Sequence, residues 1–91
     1  MAIQILSEPP PEPEEVAARV REAIEQALPD ARVSVSAESP GHFCVDVASQ
    51  AFEGLSRVKQ QQKVYAAIAP LMAGDAAPVH AIDRLRTSVP D

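Results

Sequence analysis

The spacing of apolar residues changes period along this chain, and the order of those changes is its strongest constraint on folding. Val16, Val20, Ile24 and Leu28 recur every four residues, flanked by Ala17, Ala23 and Ala27. That row is one apolar stripe on a helix of about four turns. Pro13 suits its first position, Glu14 and Glu15 suit its positive end, and Pro29 closes it. Arg19, Arg21, Glu22 and Glu25 are left to face water. The period then falls to two. Arg32 to Ser36 alternates polar and apolar, and so does His42 to Val47, with Phe43, Val45 and Val47 on one face and His42, Cys44 and Asp46 on the other. Ala37 to Gly41 joins the two runs and carries the turn residues Glu38, Ser39, Pro40 and Gly41. An antiparallel hairpin with one face covered by helices is predicted.

The helical period returns after Ser56, a good N-cap. Over Arg57 to Met72 it sets Val58, Gln61, Tyr65, Ile68 and Met72 on one stripe, with Val64 and Leu71 at its edge. Lys59, Gln60, Gln62 and Lys63 take the opposite side. Pro70 removes one helical hydrogen bond, so a kink or a shortened helix is expected there. Gly74, Asp75 and Pro78 form a loop, and a last strand starts at Val79-His80-Ala81-Ile82. Leu85 has the opposite parity to Ile82, which a bulge near Asp83-Arg84 explains. The expected order is helix, strand, strand, helix, strand: an α+β fold with two helices on one face of a three-stranded sheet.

The chain has 91 residues, enough for one small domain. Its three aromatics, Phe43, Phe52 and Tyr65, leave the core to Val, Ile, Leu, Ala and Met. Residues 1–12 read as an acidic, proline-rich, disordered tail, and residues 13–91 as the domain. No apolar run approaches the roughly 20 residues of a membrane-spanning helix. The start lacks the basic and apolar regions of a secretory signal. The single cysteine, Cys44, fits a reducing compartment, so a cytoplasmic protein without membrane contact is expected. The net charge of −5 is concentrated in the first 15 residues, which hold four acids and no base. From Gly54 onward five bases stand against three acids. An acidic average thus coexists with a basic segment, while strong non-specific binding to nucleic acid is disfavoured.

No catalytic constellation stands out, and an enzyme is not expected. Cys44 and His42 share a strand face, where a half-buried thiol and a strand histidine is a plainer reading than a nucleophile with its base. There is no phosphate-binding glycine loop and no C-x-x-C pair. His42 and His80 are the only imidazoles and Cys44 the only thiol. These are too few for a closed tetrahedral zinc site. They could complete a site to which a second molecule brings the other ligands. Arg57, Lys59 and Lys63 on the second helix could touch phosphates, although a solvated helix face is the plainer reading because no aromatic is interleaved with them. The G-x-x-G loop of a KH-type RNA clamp is absent.

Three separated runs carry a family resemblance. Gly41-His42-Phe43, then Phe52-Glu53-Gly54-Leu55-Ser56-Arg57-Val58-Lys59-Gln60-Gln61-Gln62-Lys63-Val64-Tyr65, then Val79-His80-Ala81-Ile82 resemble the BolA family in the right order. The middle run is most similar to the short-loop bacterial branch typified by IbaG (YrbA). The resemblance covers roughly residues 14–90 and omits the proline-rich tail.

It implies a class II KH-like fold and a non-enzymatic partner of monothiol glutaredoxins, acting in iron–sulfur and iron homeostasis and in stress response. Such pairs share a 2Fe–2S cluster held by the glutaredoxin cysteine, glutathione and a BolA histidine at the head of the last strand. That position is His80. Many members add a Cys or His from the loop between the first two strands, but Ala37 to Gly41 contains neither. His42 and Cys44, which border that loop, are the fallback candidates; His42 matches a histidine common in the family that is also readable as structural. An imidazole that takes up a proton loses its ligand electron pair, so cluster retention is expected to weaken from about pH 8 to about pH 5.5. No cofactor is expected in the isolated chain, which would be a monomer or weak homodimer. The family also includes transcription regulators, for which the DNA-binding face here would be the helix from Ser56 to Met72 with Arg57, Lys59 and Lys63, joined by Arg84 and Arg86.

Overall fold

Pro13 opens helix α1 (Pro13–Ala27) at a position where its missing N–H costs nothing, and Glu14 and Glu15 occupy the first turn. The chain is described here from a computed structural model covering residues 11–74 and 77–91. Residues 1–10 of the expected tail lie outside the described residues, as does Asp75 of the loop after the second helix; Glu12 is extended and forms the N-cap of α1. The row Val16, Val20, Ile24 and Leu28 is buried as its spacing requires. Strand β1 (Arg32–Ser39) alternates exposed Arg32, Ser34 and Ser36 with half-buried Val33, Val35 and Ala37. Strand β2 (His42–Ala48) buries Phe43, Val45 and Val47 completely, because it is the central strand of the β1-β2-β3 sheet.

The hairpin differs from expectation at its tip. β1 runs on to Ser39, with an irregularity at Glu38, and only Pro40 and Gly41 turn the chain. Gly41 has φ +81°, a left-handed conformation that closes so short a turn without strain. Beyond β2, Ser49 caps a single 3-10 turn, Gln50–Phe52, by accepting from the Ala51 N–H at 3.1 Å. Ser49 is itself buried, and its hydroxyl donates to Asp30 at 2.8 Å.

Helix α2 (Arg57–Met72) starts where predicted, with Ser56 Oγ accepting from the Lys59 N–H at 3.3 Å. Its buried face is shifted from the predicted one: Ile68 and Met72 of the expected stripe do face the core, but Val58 and Tyr65 do not. Val64 and Ile68 are fully buried with Ala67 and Leu71 beside them, whereas Val58 is 61% and Tyr65 40% exposed. The helix is rotated towards α1, with Ala67, Pro70 and Leu71 facing Arg19, Glu22, Ala23 and Gln26 across a shallow cleft. Gln60, expected in solvent, is partly buried. Its amide donates to Leu55 O at 3.0 Å, and its carbonyl oxygen accepts from Thr87 Oγ1 at 2.6 Å. The helix is not shortened: it continues through Pro70 to Met72, giving up only the one hydrogen bond that the missing Pro70 N–H would donate to Ala66 O.

Strand β3 (Ala81–Ser88) begins two residues later than predicted and pairs with β2 in parallel, α2 serving as the crossover. Val79 is buried and joins the core instead of the ladder. The predicted bulge is present: Phe43 pairs with Ile82 and Cys44 with Arg84, leaving Asp83 as the extra residue. Both helices therefore cover the sheet face bearing Phe43, Val45, Val47 and Leu85. The other face is open and polar.

Candidate metal-ligand site

The end of the sheet where the hairpin turns is also where β3 begins. Gly41 O accepts from the backbone N–H groups of His80 (2.8 Å) and Ala81 (3.1 Å), which ties the start of β3 to the turn. The His80 ring lies directly against Gly41, so that a Cβ added there would run into its Nδ1 and Cγ. Glycine is thus required twice, for its backbone angle and for the room it leaves. His80 is exposed, and among the described residues neither of its ring nitrogens has a hydrogen-bond partner. An exposed imidazole held by its backbone and by one flank of its ring keeps a nitrogen available to an external electrophile.

His42 is register-paired with Ala81, the residue after His80. The two rings stand edge to face with centroids 6.4 Å apart and planes at 84°. Unlike His80, His42 is engaged: its Nδ1 lies 3.0 Å from Oδ1 of Asp83, with both side chains about two-fifths exposed. Asp83 reaches it because the bulge turns the extra residue to the open face. Cys44 lies one step further along that face, half-buried between register neighbours Ser36 and Arg84. The structure thus brings His80 and His42 together, with Cys44 as the next residue in the row. Sequence reasoning missed Asp83. Its signal was the parity slip that placed the bulge, which also sets a carboxylate on the same face as His42.

These residues do not form a closed metal site: among the described residues no three His, Cys, Asp or Glu side chains converge as ligands. One or two exposed imidazoles are a donor set that can complete a metal site only if the remaining ligands come from elsewhere.

The cations are divided. Arg57, Lys59 and Lys63 are exposed on α2. Arg84 and Arg86 pair with Cys44 and Asp46 and so lie on the open face, away from the helices. The five do not make one continuous basic surface. No helix among the described residues is long and apolar enough to cross a membrane.

Two helices layered on one face of a mixed three-stranded sheet, with the last strand entered parallel through the second helix, define the class: a small α+β sandwich. Comparison with known proteins makes it specific. The family model described as BolA-like protein matches residues 20–91. BolA-like protein 1 of Pongo abelii is 38% identical over 76 residues, covering 74% of this chain and 53% of the relative. The chain thus spans about half the length of that curated relative. A bolA protein homologue from Coxiella burnetii superposes with a TM-score of 0.67 at 31% identity, over 81% of this chain and 90% of the other. The solution structure of BolA1 protein from Mus musculus gives 0.66 at 30% identity, over 92% of this chain and 71% of the other. The chain belongs to the BolA family.

Proposed function

We propose that this protein is a non-enzymatic adaptor that pairs with a monothiol glutaredoxin and contributes His80 to a 2Fe–2S cluster shared between them. The observation that carries this reading is the state of the His80 ring: exposed, seated on Gly41, and without a hydrogen-bond partner among the described residues. Had both nitrogens been engaged by the chain itself, no ligand role would remain. When bound, the cluster would supply one-electron redox chemistry and a transferable iron–sulfur unit, with the histidine ligand raising its potential relative to all-thiolate ligation. The protein's own part is to hold the imidazole at the sheet end, with the Gly41 carbonyl accepting from the backbone N–H groups on both sides of the His80 Cα. The glutaredoxin cysteine and glutathione complete the ligand set, and His42 or Cys44 stands next in line as a second donor from this chain.

The two-residue turn at Pro40 and Gly41 supports placement in the short-loop, IbaG-like branch, since it leaves no room for a loop ligand. A role in iron homeostasis and stress response in the cytoplasm follows from the same reading, and the lone thiol of Cys44 suits a reducing compartment. The test is anaerobic co-purification with a monothiol glutaredoxin: wild-type chain should yield a coloured heterodimer and His80→Ala should not.

A second reading, DNA binding through α2, draws on the exposure of Arg57, Lys59 and Lys63. Because Arg84 and Arg86 face away, the three cations of α2 are left to carry the contact, which gives a weak and strongly salt-dependent affinity.

A further inference from the structure

We infer that Asp83 is a positioning residue, which fixes His42 with Nε2 as its lone-pair nitrogen beside His80. This rests on the adaptor reading above and deepens it, by naming the group that prepares the second imidazole.

A carboxylate can only accept, so the 3.0 Å contact requires the proton of a neutral His42 ring to sit on Nδ1. Nε2 is then left unprotonated. A histidine that binds a metal through one nitrogen commonly donates the other N–H to a carboxylate, which sets both tautomer and ring direction. Here that arrangement has a backbone cause. In a regular ladder the residue beyond Ile82 would pair with Cys44; the bulge gives that place to Arg84 and inserts Asp83 ahead of it. The inserted carboxylate reaches His42, forty-one residues earlier in the chain. His42 in turn pairs with Ala81, and its ring is 6.4 Å from that of His80. Cys44, the competing donor, lies two residue pairs further from His80 and has no such orienting partner among the described hydrogen bonds.

The pair is exposed at both ends, 42% and 44%, and exposed pairs of this kind contribute little to folding. Removing Asp83 should therefore leave a folded protein in which the ring is free to change tautomer. Nitrogen-15 long-range spectra of the isolated chain at about pH 8.5 report the tautomer of each neutral imidazole directly. The wild-type chain should show His42 protonated on Nδ1, and Asp83→Ala should lose that signature while the His80 signals stay in place. In the glutaredoxin complex, Asp83→Ala and His42→Ala should each release the cluster to a chelator about 10–100-fold faster than wild type. The double variant should be no faster than either single one, because the two residues act as a unit. A His42 tautomer that is unchanged in Asp83→Ala would overturn the proposal, and so would single-variant effects that multiply. Failure of the adaptor reading looks different: wild-type chain would form no cluster with the glutaredoxin, while the tautomer measurement would still decide the role of Asp83.

Discussion

Gly41 is the residue on which the candidate site turns. Its φ of +81° disfavours any side chain, and the His80 ring occupies the place of a Cβ. Gly54 has nearly the same φ, +80°, but nothing within 4 Å of its virtual Cβ. The two glycines therefore separate backbone strain from steric displacement. Gly54→Ala should cost about 1–2 kcal/mol from the left-handed conformation alone. Gly41→Ala should cost more than Gly54→Ala in denaturant unfolding, and it should also shift the His80 ring resonances, which Gly54→Ala should leave unchanged. Equal stability losses with unmoved His80 signals would mean that the ring does not depend on Gly41 for its seat. Neither consequence could be read from the sequence. Glycine after proline announces a turn, but nothing local says which distant ring will lie on it.

Among the elements, those whose neighbours are fixed by parity were legible and those oriented by packing were not. The α1 stripe, the hairpin faces and the Asp83 bulge each follow from counting apolar residues along the chain, and each is present. Helix α2 carries two overlapping apolar rows. The choice of Val64 and Ile68 over Val58 and Tyr65 depends on where α1 lies, which no local period encodes. The parallel entry of β3 and the contact between His42 and Asp83 are likewise long-range outcomes. So is the staple joining the α1–β1 loop to the 3-10 turn. Asp30 accepts from the Gln50 N–H and from Ser49 Oγ, both at 2.8 Å. The Gln50 N–H, and after it the Ser49 hydroxyl, hold the carboxyl below its ordinary value of 3.8 despite some opposing desolvation. A lowered folded-state pKa gives stability that is complete above the unfolded-state value and is lost as pH falls through the folded one. The thermal-stability advantage of wild type over Asp30→Asn should therefore be constant above about pH 5 and shrink below about pH 4. An advantage that grows on acidification would contradict this.

At the scale of the whole molecule, the polar sheet end and the outer face of α2 offer two separate surfaces. The imidazoles occupy the first, and Arg57, Lys59 and Lys63 the second. Mutations should therefore divide the two functional readings cleanly. Lys59→Ala with Lys63→Ala should lower the salt slope of any DNA binding by about 2 while leaving cluster formation with a glutaredoxin intact. An unchanged slope would show that these lysines touch no phosphates. The central claim is narrower: one imidazole at the head of β3 is this chain's donor to iron held jointly with another protein. Anaerobic reconstitution with a monothiol glutaredoxin and glutathione, followed by visible circular dichroism, tests it most directly. Wild-type chain should give a heterodimer spectrum distinct from that of the glutaredoxin alone, and His80→Ala should abolish the difference. A His80→Ala complex with the wild-type spectrum would contradict the account.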